Sequence, residues 1–425
     1  MAADAARAIE AVWRIEAPRL IAGLTRMVRD VGLAEDLAQD ALVAALERWP
    51  GSGVPDRPGA WLMATARNRA IDLIRRGRRL DERHAEIGRD LRARQLTAPD
   101  LAAAVDFPVE DDLLGLVFMT CHPVLSADAR VALTLRLLGG LTTREIARAF
   151  LVAEATVAQR IVRAKRTLAE ARVPFEVPGG EELSERLASV LEVVYLVFNE
   201  GYAATAGDDW TRPALCEEAM RLGRVLAGLA PREPEVHGLV ALMELQASRM
   251  RARVDRTGAP VLLMDQDRAR WDHVLVGRGL AALQRAQELG GALGPYALQA
   301  AIAACHARAR TAQETDWAGI AALYDALAQL RPSPVVELNR AVAVGMAFGP
   351  AAGLELADAL ADEPSLAGYH LLPAVRADLL ERLGRRDAAR AEFGRAATMT
   401  ANERERAVLL ARAAGAADGG GPSPR

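Results

Sequence analysis

Residues 60–76 combine aromatic, amide and guanidinium side chains in one helical pattern. Aromatic planes stack on unpaired bases, amides hydrogen-bond to base edges, and guanidinium groups hold phosphates. This set of groups predicts a surface that binds a melted nucleic-acid strand. Core packing is an equal alternative for the ring of Trp61, which has apolar neighbours. The residues predicted to face outward are Trp61, Thr65, Arg67, Asn68, Arg69, Arg75 and Arg76.

A second arginine-rich pattern, residues 142–166, has the form of a helix-turn-helix. Thr142 or Thr143 is placed to cap a short helix that ends near Phe150. Apolar residues at helical spacing predict one buried face on the next helix and leave its polar face for duplex DNA. Many unrelated repressors and activators share this motif, so alone it leaves the function open. The predicted buried residues are Val157, Ile161, Ala164 and Leu168, and the candidate DNA contacts are Thr143, Arg144, Thr156, Gln159, Arg160 and Arg163.

The helix predicted for residues 34–49 has an acidic and polar stripe at the spacing i, i+3, i+4, i+7. Such a stripe favours a basic partner helix, and an ordinary solvated face is the alternative. Its position directly before the aromatic and arginine-rich helix favours a binding surface. The candidate partner-binding residues are Glu35, Asp36, Gln39, Asp40 and Val43.

Positive charge is concentrated in the N-terminal part of a chain whose net charge is −3. Residues 57–94 contain eleven arginines and five acidic residues, and residues 142–172 contain seven basic and three acidic residues. Both clusters fit surfaces that face a polyanion, although a solvated face is the common alternative. The remainder of the chain is acidic, so nucleic-acid binding is expected only before about residue 175.

The chain has 425 residues, 51% of them hydrophobic, which is enough for two or three domains with apolar cores. Its periodicity is helical throughout. No apolar run reaches the roughly 18 residues that a membrane span needs, and the N-terminus lacks a signal pattern, so a cytoplasmic protein without membrane contact is expected. The three cysteines are far apart in sequence, which predicts buried thiols and neither a disulfide nor a zinc site.

Residues 181–415 are predicted to form a helical domain. Three stretches, 295–330, 334–360 and 371–397, each have the pattern of a helix, a turn and a second helix. Their spacing of roughly 33 to 39 residues is that of tetratricopeptide-like helix pairs, and a helical domain without true repeats is the alternative. Residues 416–425 are predicted to be a disordered tail.

Four residues in the C-terminal half could bind a metal or act as acids and bases: Asp265, Asp267, Asp272 and His273. Each acid lies near an arginine in the sequence, which favours a salt-bridged structural corner over catalysis. No second anchoring motif accompanies this cluster. We therefore expect no enzymatic activity, no metal site and no cofactor.

The patterns at residues 34–41, 60–76 and 141–164, in this order and spacing, resemble bacterial extracytoplasmic-function (ECF) sigma factors over about residues 5–172. The resemblance implies an all-α fold with two small helical sigma domains joined by a flexible linker, residues 81–109. Residues 5–80 would form a region 2-like domain that docks on core RNA polymerase through the acidic stripe and melts the minus-ten element. Residues 110–172 would form a region 4-like domain that reads the minus-thirty-five element.

Residues 194–202, 262–271 and 315–327 resemble the helical extension of an ECF subgroup with a fused tetratricopeptide-like domain. The resemblance implies that residues 181–415 regulate the sigma activity in cis, in place of a separate anti-sigma factor. We expect this domain to touch the sigma domains of the same chain. The expected partners are core RNA polymerase and promoter DNA. The alternative function is a helix-turn-helix regulator with an interaction scaffold, which would act without polymerase.

Overall fold

The fold of the protein is all-α in a computed structural model that describes residues 2–87, 109–150, 152–202, 211–256, 261–290, 294–400 and 402–418. Within these ranges the regular structure consists of 18 α-helices and short 3-10 turns. The chain divides into two compact units, Met1–Val193 and Val194–Arg425. The all-α fold predicted from the periodicity is thus confirmed. Within the same ranges, no helix is both long and apolar enough to cross a membrane.

Three helices open the first unit: α1 (Ala2–Val28), α2 (Val31–Ser52) and α3 (Pro58–Ile87). The side chain of Asp30 caps α2 by accepting a hydrogen bond from the Leu33 N–H at 2.9 Å. The helix predicted to end at residue 49 continues further, because Pro50 lies inside the last turn of α2. The helix ends at Gly53, whose φ of 82° suits glycine.

The next four helices are α4 (Val109–Thr120), α5 (Ala127–Leu137), α6 (Thr143–Ala149) and α7 (Glu154–Glu170). Thr142 begins α6 through a capping box with Glu145, in which each side chain binds the backbone N–H of the other. Helices α6 and α7 form the predicted helix-turn-helix. The four residues predicted to be buried on α7 are buried: Val157, Ile161, Ala164 and Leu168.

Helix α8 (Gly180–Tyr202) contains the boundary between the two units. Its first half packs on α4 and α5 within the first unit. Arg186 donates to the Phe118 carbonyl at 3.0 Å, and Ser189 donates to the Cys121 carbonyl at 2.6 Å. These bonds satisfy carbonyl groups at the C-terminal end of α4, which would otherwise lack partners.

The second unit continues with ten helices in the described residues, and three successive helix pairs coincide with the three predicted stretches. Helix α14 packs closely on α15, because a Cβ added at Gly353 would lie 2.6 Å from the Ala341 carbonyl oxygen. The small residues of these stretches therefore serve close helix packing. The helices are α9 (Pro213–Leu229), α10 (Pro234–Ala247), α11 (His273–Glu288), α12 (Pro295–Arg308), α13 (Trp317–Leu330), α14 (Pro334–Phe348), α15 (Pro350–Asp358), α16 (Leu371–Arg382), α17 (Arg386–Met399) and α18 (Glu403–Asp418).

Two predicted segments lie mostly outside the described residues. The linker expected at residues 81–109 overlaps them only at its ends, since α3 reaches Ile87 and α4 begins at Val109. Most of the tail expected at residues 416–425 also falls outside, since α18 ends at Asp418. Of the three cysteines, Cys121 and Cys216 are buried as predicted, whereas Cys305 is half-buried.

Candidate nucleic-acid interface

The face of α3 predicted to bind a melted strand is exposed in part. The side chains of Asn68 and Arg75 are exposed, and those of Arg67 and Arg69 are half-buried. The Thr65 hydroxyl donates to the Trp61 carbonyl at 2.9 Å. The side chain of Arg76 lies outside the described residues. The exposed amide and guanidinium groups are available for bases and phosphates.

The ring of Trp61 packs against the core only in part. It is half-buried, and its centroid lies 5.3 Å from that of the buried Trp49 in an edge-to-face arrangement. Helical spacing places four apolar residues of this helix toward the core, of which Leu62 and Ala66 are fully buried whereas Ile71 and Ile74 are half-buried. The packing on Trp49 holds the Trp61 ring in place, and its remaining exposed surface could accept a base.

The predicted polymerase-binding stripe of α2 lies next to this face. Asp36 and Asp40 are exposed, and Val43 is 50% exposed. Arg69 of α3 forms an ion pair with Asp40 at 3.2 Å. Both side chains of this pair are largely in water, so the pair contributes little stability and either partner can exchange it for another contact.

Glu35, also predicted to bind core polymerase, has a different environment. Its side chain is buried, accepts a hydrogen bond from Arg136 Nε at 2.7 Å, and forms an ion pair with Lys165. Gln39 also donates to its carboxylate, at 2.8 Å. Burial by itself would raise the pKa of Glu35, but the charges of Lys165 and Arg136 outweigh it and hold the pKa below its ordinary value.

These contacts join the two helix groups of the first unit. Glu35 belongs to α2, whereas Arg136 belongs to α5 and Lys165 to α7. A second ion pair, at 2.7 Å, links Arg26 of α1 to Asp112 of α4. In this arrangement Glu35 is a contact between the helix groups and is closed to an external partner.

A cavity of about 450 Å³ opens beside the Glu35 contact. Its walls are mainly apolar on the side of α1 and α2, with polar groups on the side of α5 and α6. Gln39 and Val43 line it, so two residues of the predicted stripe face this space. Among its other lining residues are Trp13, Ile21, Leu42, Leu46, Arg136 and Thr142.

The helix-turn-helix presents most of its predicted DNA contacts to solvent. Thr156, Gln159 and Arg163 are exposed on α7, and Arg144 is exposed on α6. Thr143 is half-buried. Arg160 is also half-buried and pairs with Asp128 of α5 at 2.8 Å. Because Asp128 is well exposed, this pair leaves the Arg160 guanidinium near the surface.

The sequence reasoning missed Arg136 and Lys165 as partners of Glu35. Arg136 and Glu35 are 101 residues apart, and no local pattern connects them. The one available signal was that Lys165 is the only lysine in a chain whose other basic residues, apart from histidine, are arginines.

Asp267 and Asp272 cap helices, which corrects the salt-bridged corner predicted for them. Asp267 accepts a hydrogen bond from the Ala269 N–H at 3.0 Å. Asp272 accepts from the N–H groups of Val274 and Leu275 at the start of α11. No ion pair involves Asp267 or Asp272 within the described residues. Their role is to satisfy backbone donors at helix starts.

Three families match parts of the chain. Sigma-70 region 2 matches residues 13–80, and Sigma-70, region 4 matches residues 116–168. A family of unknown function, DUF6596, matches residues 186–287. The Sigma-70 region 2 match includes α2 and most of α3, and the region 4 match includes most of α7. The third begins within α8 and extends through most of α11.

Two relatives are informative. The chain is 45% identical to the uncharacterized protein R00370 of Rhizobium meliloti over 393 residues, which cover 92% of each chain. It is 29% identical over 171 residues to the probable ECF RNA polymerase sigma factor SigI of Mycobacterium tuberculosis, which covers 40% of this chain and 57% of that protein. No solved structure matches the chain. These matches agree with the two structural features described above, the helix-turn-helix and the arginine-rich α3. The chain belongs to the ECF sigma factors and has a C-terminal extension of the DUF6596 family.

Proposed function

We propose that the protein binds core RNA polymerase, directs it to promoters and helps to melt the promoter DNA. The observation that carries this proposal is the presence of both sigma-70 regions in one chain, each with an exposed polar face. A protein that reads paired and unpaired DNA at two places suits transcription initiation.

Region 2 would supply the contacts to polymerase and to the melted minus-ten strand. The exposed carboxylates of Asp36 and Asp40 can attract a basic surface of the polymerase, with Gln39 and Val43 beside them. Asn68 can hydrogen-bond to an unpaired base, and the neighbouring arginines can hold phosphates. Trp61, Thr65, Arg67, Arg69, Arg75 and Arg76 complete the proposed strand-binding set.

Region 4 would read the minus-thirty-five element as duplex DNA. Residues near the start of α7, such as Thr156, Gln159 and Arg160, can reach base edges in the major groove. Arg163 and Arg144 can contact phosphates and fix the orientation. The Asp128 carboxylate would have to release Arg160 for that residue to read a base.

Docking on polymerase through Glu35 would require the two helix groups of the first unit to separate. The contacts of Arg136 and Lys165 with Glu35 cover this carboxylate in the present arrangement. The proposed function therefore includes an open arrangement in which region 4 leaves the surface of α2. Core polymerase would supply the free energy by binding the open form more tightly than the closed one.

The test is in vitro transcription with purified core polymerase, the full chain and a cognate promoter. The proposal expects promoter-dependent transcripts only when the chain and core polymerase are both present. The alternative, a helix-turn-helix regulator that acts without polymerase, predicts specific duplex binding that is equally tight when core polymerase is left out.

The C-terminal extension would modulate this activity, through the sigma domains of the same chain or through another protein. Its helix pairs are of the kind that offers a binding surface for a protein segment. A truncated chain that ends after Val193 keeps the α8 residues Arg186 and Ser189, which bind α4 carbonyls within the first unit. We expect its transcription to differ several-fold from that of the full chain. Equal transcription under all inducing conditions would contradict a regulatory role.

A further inference from the structure

Three arginines of the second unit surround two aromatic rings. The Arg249 guanidinium lies 5.8 Å from the ring centroids of both Tyr202 and Trp271. Arg253 stacks on Tyr202 at 3.6 Å, and Arg268 lies 4.9 Å from the Trp271 centroid. The Trp271 side chain is buried and the three guanidinium groups gather around it and Tyr202. This arrangement concentrates positive charge in a partly buried place.

Two of these arginines, Arg249 and Arg268, have no carboxylate counter-ion among the described residues. Among the described residues, no carboxylate oxygen lies within ion-pair distance of Arg249 or Arg268. Arg249 donates to the Tyr202 hydroxyl at 2.6 Å, which is a neutral acceptor. Arg268 donates to the backbone carbonyls of His306 and Ala309 and to the Thr315 hydroxyl, which are also neutral. Partly buried guanidinium groups without a counter-ion are costly unless an anion joins them.

One acidic residue acts on Arg268 from further away. Glu314 favours the charged form of Arg268 electrostatically, but its carboxylate accepts a hydrogen bond from the backbone N–H of Arg310 at 3.1 Å. Glu314 therefore reduces the excess of positive charge without pairing with the guanidinium. One oxygen of the Glu314 carboxylate is already bonded to the backbone N–H of Arg310.

Buried nitrogen atoms without a hydrogen-bond partner among the described residues lie in the same cluster. Trp271 is 5% exposed and its Nε1 has no hydrogen-bond partner, and the Nε of Arg268 has none either. His306, 9% exposed, likewise has an unpartnered Nδ1. Burial and the charges of Arg249 and Arg268 lower the pKa of His306 to about 4, so its ring is neutral near pH 7. Buried polar atoms are rarely left without partners, and nitrogen donors beside cations fit an anionic acceptor.

Stacking on Tyr202 and Trp271 explains where the guanidinium groups lie. It does not supply a counter-charge for Arg249 and Arg268 or an acceptor for the buried nitrogen atoms. We propose that the cluster of Arg249, Arg268 and Trp271 binds a small ligand through an oxyanion, either a phosphate or a carboxylate group. Guanidinium groups suit both anions because their paired N–H groups match two oxygens. These three residues lie in the second unit, within the residues matched by DUF6596, and the proposal does not depend on the proposed sigma function.

Binding to the full chain tests the proposal. Inorganic phosphate and malonate are titrated separately by isothermal calorimetry, with sodium chloride at matched ionic strength as the control. We expect saturable binding at one site per chain, and a rise in the thermal unfolding midpoint with ligand concentration. Binding of phosphate alone assigns the phosphate class, and binding of malonate alone assigns the carboxylate class. Absence of saturable binding for both, up to tens of millimolar, overturns the proposal.

Matched variants locate the site. Arg249→Gln and Arg268→Gln should each weaken binding by roughly tenfold or more, since each removes a charged donor. Arg251→Gln is the control, because it removes the same charge from an exposed side chain two residues from Arg249. If Arg249→Gln fails to fold by circular dichroism, Arg249→Lys keeps the charge, loses the paired donors and should still weaken binding. Wild-type affinity in folded variants of both Arg249 and Arg268 would overturn the assignment.

Discussion

Glu35 of α2 accepts a hydrogen bond from Arg136 of α5 at 2.7 Å, across the seam between region 2 and region 4. Glu35 is 4% exposed, so its carboxylate depends on Arg136 and on Lys165 for compensation. A buried carboxylate with two cations is sensitive to the loss of any member. The seam is therefore a place where one substitution should change both stability and the availability of the polymerase-binding face.

Replacing Glu35 with Gln should lower the free energy of unfolding by about 1 to 3 kcal/mol, because Arg136 and Lys165 lose their common counter-charge. Urea denaturation followed by circular dichroism measures the change. Glu185→Gln, at an exposed acid of α8, is the control and should change stability by less than about 0.5 kcal/mol. A Glu35→Gln effect no larger than that of the control would contradict the role given to this contact.

The contribution of Glu35 should depend on pH in a defined direction. Its pKa in the folded chain lies below the ordinary value of 4.5, so the stabilisation is present above that pH and disappears as the pH falls through the folded-state pKa. The stability difference between the wild type and Glu35→Gln should shrink on acidification below pH 4.5. Denaturation curves of both proteins across this range test the prediction, and a constant difference would be evidence against it.

Reversal of charge on the exposed stripe should weaken binding to core polymerase. Asp36→Arg replaces attraction by repulsion at an exposed position, and adding Asp40→Arg should strengthen the effect while freeing Arg69. Pull-down of core enzyme measures the loss, with circular dichroism as the check on folding. Glu185→Arg is the matched control, since it reverses an exposed charge elsewhere in the first unit. Unchanged pull-down by a folded Asp36→Arg variant would rule out this docking face.

Two DNA-facing substitutions should act at different steps of initiation. Asn68→Ala should reduce open-complex formation, detected by permanganate footprinting, more than duplex binding. Arg160→Ala should weaken closed-complex binding and relax the upstream preference by about 1 to 3 kcal/mol for each lost base contact. Arg390→Ala, at an arginine of α17, serves as the control. Identical defects in the Asn68 and Arg160 variants would argue against separate readers of melted and paired DNA.

Removal of the cap of α6 should destabilise the helix-turn-helix. Thr142→Ala loses the hydrogen bond from the Glu145 N–H and should cost about 1 kcal/mol, measured by chemical denaturation. Thr156→Ala makes the same substitution at an exposed residue in the first turn of α7 and should have a smaller effect. If the two variants lose equal stability, the capping box is not what stabilises α6.

Local patterns predicted the helices and their buried faces well. The spacing from Val157 to Leu168 identified the buried face of α7, and Thr142 was one of two predicted caps. The three helix pairs of the second unit also follow from their pattern of small and apolar residues. Helical periodicity and capping involve residues within a few positions of one another, so a single sequence contains the information.

Contacts between distant residues could not be predicted in the same way. The candidate polymerase-binding residues of α2 include both Glu35 and Asp36, yet Glu35 is buried against region 4 and Asp36 is in solvent. Nothing near Glu35 in the sequence indicates Arg136 or Lys165. In the second unit, Asp267 and Asp272 accept hydrogen bonds from backbone N–H groups and do not pair with the arginines beside them in the sequence. The N–H groups that they cap lie only two residues further along the chain.

Helix α8 has buried apolar side chains on both sides of the boundary between the two units. Val190 and Val193 of α8 are buried before the boundary, and Val197 and Phe198 are buried after it. A helix gains stability cooperatively along its length, so melting one half of α8 weakens the other. A truncated chain that ends after Val193 should therefore have a less stable α8 than the intact chain, and hydrogen exchange should detect faster exchange at the α8 amides that remain.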